Sequence, residues 1–118
     1  MAQAESKLSR QIMAALRARG VWCMKIHGGP TMMAGAPDIV ACVPVPIWTQ
    51  AAYEAAEPEM YGLFVGFETK TPTGGDPTPV QQHVHQQIRS AYGVVFVPRS
   101  VEDAVKALQS VGWTDPGE

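Results

Sequence analysis

Two short stretches carry side chains suited to chemistry at the edge of apolar segments. In "YGLFVGFETK" (61–70) an apolar run ends by placing Glu68 and Lys70 one residue apart. Alternation along a strand puts both on one face, with Phe67 and Thr69 on the other. Charged groups are costly to bury unless they are paired, hydrogen-bonded or bound to metal, so the pair marks either a site or a strand emerging into solvent with a local ion pair. In "GAPDIV" (35–40) Pro37 fixes the approach to a second apolar segment, and Asp38 stands at its mouth. Alone it is a strand-start aspartate. If 38–43 and 61–70 are antiparallel neighbours, however, Asp38 and Glu68 converge. Two adjacent carboxylates repel unless a cation lies between them, and oxygen-only ligation suits a hard ion such as Mg²⁺ or Mn²⁺.

Two further polar residues head apolar helical stripes. Glu5 precedes Leu8 by three residues and Ile12 by seven, which aims it along the stripe that packs on the sheet; a first-turn acid is also favoured by the helix dipole alone. Gln81 stands in the same relation to Val84 and Ile88. His83 and His85, two apart, cannot share one face, so His83 reads as exposed and His85 as a flank of the site; neither is expected to ligate metal.

The elements that must position these residues follow from periodicity and punctuation. A helix over 4–19 buries Leu8, Ile12, Ala15 and Leu16 and stops at Gly20. Strands follow at 21–27 and 38–43, separated by the loop "GGPTMMAGAP". Residues 44–60 read as a long proline-rich connection, and 61–70 as a central strand. After "TPTGGDPTP" come a helix over 80–92, a strand at 94–97 and a closing helix over 101–110 capped by Ser100. The order α-β-β-β-α-β-α describes an α/β (α+β) domain, a mixed central sheet flanked by helices, over residues 1–112 with a tail at 113–118.

Bulk properties narrow the class. With 118 residues, 46% hydrophobic and 17% charged, the chain is expected to be one globular domain, without an apolar run able to span a bilayer. The N-terminus shows no secretory pattern, so a cytoplasmic location is expected. Cys23 and Cys42 each lie in an apolar run and read as buried free thiols. The net charge of −2 gives no global attraction to nucleic acid, yet Lys7, Arg10, Arg17, Arg19 and Lys25 face only Glu5 in the first thirty residues. A basic face there would meet phosphates; a solvated helix face is the plainer alternative.

Taken in order, Glu5, "GAPDIV", "GFETK" and "TPVQQ" resemble the restriction-endonuclease-like superfamily with its PD…(D/E)XK signature, and more closely the small, stand-alone, phage-type members of the VRR-NUC domain family. The likeness runs from about Glu5 to Leu108 and includes "PRSVEDAVKAL". It implies that Asp38 and Glu68 ligate a metal with the backbone carbonyl of Thr69, and that Lys70 holds or polarises the attacking water. It further implies that Glu5 is an outer-shell or second-metal carboxylate and that Gln81 orients water or phosphate. Lys7, Arg10, Lys25, Gly28 and Gly29 would meet the nucleic acid. The implied activity is Mg²⁺- or Mn²⁺-dependent hydrolysis of DNA, with branched, Holliday-junction-like DNA as the expected substrate class, by a homodimer that needs no membrane and no organic cofactor, in the cytoplasm of a bacterial or phage-infected host cell. The alternative is a non-catalytic nucleic-acid-binding or assembly subunit of the same fold. Two features depart from the pattern: the acidic net charge, and a 44–60 connection whose Ile47, Trp48, Tyr53 and Met60 suggest a dimer contact or burial on the chain's own core.

Overall fold

The computed structural model describes residues 2–29 and 32–117. Met1 and Glu118, at the limits of the expected domain and tail, lie outside the described residues, as do Pro30 and Thr31 of the expected glycine-rich loop. Helix α1 (Ala2–Ala18) buries Leu8, Ile12 and Leu16 at the predicted spacing, and Met13 beside them. Gly20 stops it: at a φ of 78° it turns the chain so that its own N–H reaches Arg17 and the N–H of Val21 reaches the Leu16 carbonyl, both at 3.0 Å.

The sheet contains β1 (Trp22–Lys25), β2 (Ile39–Ile47), β3 (Glu59–Phe67) and β4 (Val94–Phe96) in the order β1-β2-β3-β4. The β1–β2 and β2–β3 pairs are antiparallel, and β3–β4 is parallel. Parallel pairing requires a crossover, which α3 (Pro79–Ser90) supplies. The strand expected at 61–70 begins two residues earlier and ends at Phe67. Glu68 and Lys70 nevertheless stay on the ladder, their N–H groups donating to the carbonyls of Phe96 (2.9 Å) and Pro98 (3.2 Å).

The 44–60 segment corrects the sequence expectation. Residues 44–47 extend β2, 59–60 begin β3, and the short helix α2 (Gln50–Ala55), capped by Thr49, lies between them. Pro44 and Pro46, expected in the proline-rich connection, both sit in β2. The Asp38 carbonyl accepts from the N–H of Ile26, the residue after β1, at 2.8 Å, so by alternation even-numbered residues of β2 turn their backbone groups toward β1. Because β1 pairs no further than Trp22 with Cys42, the two prolines lie where the missing N–H would have faced an open edge.

Ile39, Ala41, Val43, Val65 and Phe67 point from the sheet into the core beneath α1 and α4 (Val101–Ser110), which contributes Ala104 and Leu108. Trp113 completes this core and Asp115 pairs with Arg19 at 3.2 Å, so residues expected as a tail are packed against the body. The opposite face carries α3 only over the β3–β4 side; Trp22, Met24 and Phe64 remain exposed on it. Cys23 is buried, and that burial raises its thiol pKa. Cys42, expected inside, is exposed on the open face beside Trp22 and Phe64. Among the described residues no helix is long and apolar enough to cross a membrane.

Candidate functional site

The β2–β3 register pairs Ile39 with Phe67, so Asp38 and Glu68 follow as the next cross-strand neighbours. The approach is close because Gly66 has no side chain: a Cβ there would stand 2.7 Å from the Pro37 ring. Pro37 therefore lies across β3 and delivers Asp38 to the end of the strand. Asp38 Oδ2 accepts two hydrogen bonds from Thr69, from its N–H and its hydroxyl, each at 2.8 Å. Ser9 of α1 contacts the same hydroxyl at 2.8 Å; since that hydroxyl donates to Asp38, Ser9 is the donor to Thr69.

Glu68 turns the other way, toward α3, and is 1% exposed. Gln81 Nε2 donates to one of its oxygens at 3.1 Å, and His85 Nε2 lies 3.2 Å from the other. Gln81 is fixed before it reaches Glu68. Its Oε1 accepts the Thr78 N–H while the Thr78 hydroxyl accepts the Gln81 N–H, a capping box that starts α3 and directs the amide nitrogen at the carboxyl group. Gln81 and His85 are four residues apart and therefore share a helix face. The loop before Asp38 also touches α3: Gly35, at a φ of 84°, lies so close to Val80 that a Cβ would meet the Val80 carbonyl oxygen at 2.7 Å.

Burial, first, raises the Glu68 pKa to about 8; the Asp38 charge and a hydrogen bond with Asp38 add to the shift, Lys70 opposes it, and Glu5 contributes slightly. Both Lys70 and Glu5 thus act electrostatically at this carboxyl. His85 is shifted down, chiefly by burial and by Arg89, which favours the neutral ring. Its contact with Glu68 is consequently a hydrogen bond rather than an ion pair at neutral pH. Among the described residues no group of three or more His, Cys, Asp or Glu side chains is arranged to hold a metal ion. The local donors available to a cation are the two carboxylates and backbone carbonyls.

Asp38 is bonded to Thr69 and to Glu68, and Gln81 to Glu68; half-buried Lys70 follows on the same extended segment, and Glu5 is half-buried on α1. Gln81, expected to orient water or phosphate, has its amide nitrogen on Glu68 and its amide oxygen on the Thr78 N–H. His85, expected at the flank, touches Glu68 directly; its place four residues after Gln81 was the available signal. Ser9 was missed because a serine within an apolar stripe resembles an ordinary helix residue. Lys7 and Arg10 are exposed, Lys25 is half-buried, and Arg17 and Arg19 are engaged by the Cys23 carbonyl and by Asp115. Gly28 and Gly29 line a recess of about 200 Å³ that reaches Asp38.

No protein-family model matches the sequence, and no curated protein does. The architecture does find counterparts. A solved structure described as a "VRR_NUC domain" superimposes with a TM-score of 0.64 at 21% identity, covering 90% of this chain and 95% of the other. The chain has the VRR-NUC fold. A second solved structure, a "VRR_NUC domain protein", agrees with a TM-score of 0.58 at 14% identity over 92% of this chain and 87% of its own. Within this VRR-NUC fold, Asp38 and Glu68 occupy adjoining ends of the two long antiparallel strands, while Gln81 and His85 descend on Glu68 from the crossover helix.

Proposed function

We propose that this chain is a metal-dependent endonuclease that hydrolyses phosphodiester bonds in DNA, selective for branched, Holliday-junction-like structures. The observation that carries the reading is the convergence of Asp38 and Glu68 across the β2–β3 pair, with Lys70 two residues beyond, at the end of a sheet of VRR-NUC type. The donor chemistry fits Mg²⁺ or Mn²⁺: the potential ligands are oxygens, and each carboxylate discourages ionisation of the other unless a cation intervenes. Asp38, Glu68 and the Thr69 carbonyl would hold the ion, with Glu5 as an outer-shell or second-metal carboxylate. Such an ion supplies a nucleophile at neutral pH and stabilises charge developing on phosphate.

The chain's own groups have separate tasks. Lys70 holds the attacking water and offsets negative charge at the phosphate. Thr69, with Ser9 behind it, fixes one Asp38 oxygen, and Gln81 and His85 fix Glu68. Lys7, Arg10, Lys25, Gly28 and Gly29 are proposed to receive the nucleic-acid backbone. Cutting a two-fold symmetric junction requires two sites, which a C₂ homodimer supplies. The uncovered face bearing Trp22, Met24 and Phe64, and the exposed Trp48 and Tyr53 of the hairpin end, support that assembly.

The deciding experiment assays single-stranded, duplex, flap, fork and four-way-junction DNA with Mg²⁺ or Mn²⁺. Cleavage of branched DNA should disappear in folded Asp38→Ala and Lys70→Ala proteins; cleavage undiminished in both would refute the assignment. DNA binding without any divalent-ion binding, measured by calorimetry, would instead identify the non-catalytic subunit.

A further inference from the structure

The segment between Lys70 and α3, "TPTGGDP" (71–77), has no buried residue and no regular structure. A turn in which Gly74 N–H donates to the Thr71 carbonyl at 3.0 Å and a bond from Gln82 Nε2 to the Pro77 carbonyl at 2.8 Å hold its two ends, and between them its polar contacts come from Arg99. Arg99 Nη1 donates to the carbonyls of Thr71 (2.8 Å) and Gly74 (2.9 Å), while Nη2 donates to the Gly75 carbonyl and to Asp76 Oδ1, both at 3.3 Å. The planar guanidinium suits this task because its fork directs several donors outward in fixed directions. Arg99 is itself anchored: its N–H donates to Asp103 Oδ2 at 3.0 Å, beside the Ser100 cap of α4.

Both ends of the clamped loop belong to the candidate site. One is Lys70; the other is Thr78, whose capping box aims Gln81 at Glu68 and begins the helix that carries His85. The loop also forms a wall of a groove of about 430 Å³, with Lys7 and Gln11 of α1 opposite Thr71, Pro72 and Arg99. We propose that Arg99 is a positioning residue for phosphodiester cleavage: by gathering the carbonyls of Thr71, Gly74 and Gly75 and the Asp76 carboxylate it fixes the offset between Lys70 and the Gln81–His85 pair, and with it the width of this groove. This inference rests on the nuclease reading above. An unclamped loop would have to be ordered in each catalytic cycle, at the expense of turnover rather than of core stability.

The test compares Arg99→Ala and Arg99→Lys with the unaltered chain, using amide exchange of residues 74–81, Mn²⁺ calorimetry and steady-state cleavage of a four-way junction. Both variants should melt cooperatively, with loop amides exchanging roughly tenfold faster or more. They should lose about tenfold or more in kcat with KM changed no more than about twofold. Millimolar guanidinium should restore part of the rate to Arg99→Ala, whose vacated position is partly exposed, and none to Arg99→Lys. Full activity in Arg99→Lys would show that charge alone matters and would overturn the proposal. Unchanged loop exchange, or faster exchange with kcat and Mn²⁺ affinity both intact, would overturn it as well. If the unaltered chain cuts no DNA, the nuclease reading fails, while loop exchange and Mn²⁺ affinity still report on Arg99 without turnover.

Discussion

Thr69 donates twice to a single oxygen of Asp38, through its backbone N–H and its hydroxyl at 2.8 Å each, and so ties the beginning of β2 to the end of β3. Because the same hydroxyl accepts from Ser9, the position of Asp38 is referred back to α1.

Thr69→Val keeps the shape but removes the hydroxyl, leaving the buried Ser9 without its partner. It should cost about 1–3 kcal/mol in denaturant unfolding. Adding Ser9→Ala removes the orphaned donor, so the double variant should be more stable than the two single losses predict. Strict additivity would show that the two hydroxyls are not coupled.

The Glu68 carboxyl titrates near pH 8 in the folded chain, against an ordinary value of 4.5. Folding therefore favours its protonated form: the contribution is complete below about pH 4.5 and is lost as pH rises toward 8. In metal-free buffer, Glu68→Gln should remove this loss and raise the melting temperature relative to the unaltered chain most clearly at pH 8 and above. A stability difference that did not vary between pH 5 and 9 would contradict the assignment.

His85→Leu keeps an apolar group of similar reach in place but removes the contact to Glu68. Divalent-ion affinity, measured by Mn²⁺ calorimetry, should weaken by about 10–100-fold, the range typical when an outer-shell partner is lost. The exposed His83, two residues away, serves as the control, and His83→Leu should bind Mn²⁺ normally.

Gly66→Ala places a methyl group against Pro37 at the position that allows Asp38 to approach β3. Overpacking of this kind costs about 1–3 kcal/mol. The expected signature is reduced divalent affinity together with reduced stability. A variant that retained both would show that Pro37 can move without displacing Asp38.

The convergence of Asp38 and Glu68 was legible because the two apolar segments proved to be antiparallel neighbours with the residues at adjoining ends. Glu5 and Gln81 could be placed from helical spacing alone. The destination of the Gln81 amide could not, since it depends on a capping box closing around Thr78 and on the separation of α3 from β3. The prolines misled for a related reason: whether Pro44 breaks a strand depends on whether its neighbour has already ended, and the length of β1 is not written in β2. Trp113 was hidden because a single aromatic among Gly, Pro and Asp has no periodicity to announce burial.

Past Cys42, the outer edge of β2 can offer carbonyls to an approaching chain but no N–H at Pro44 or Pro46. A strand arriving there would find alternate rungs missing, a device by which natural sheets resist being extended by their neighbours. Copies of this chain are thereby discouraged from joining into one continuous sheet along this stretch, and any contact between them there would fall to side chains such as Trp22 and Phe64 that stand out from the plane.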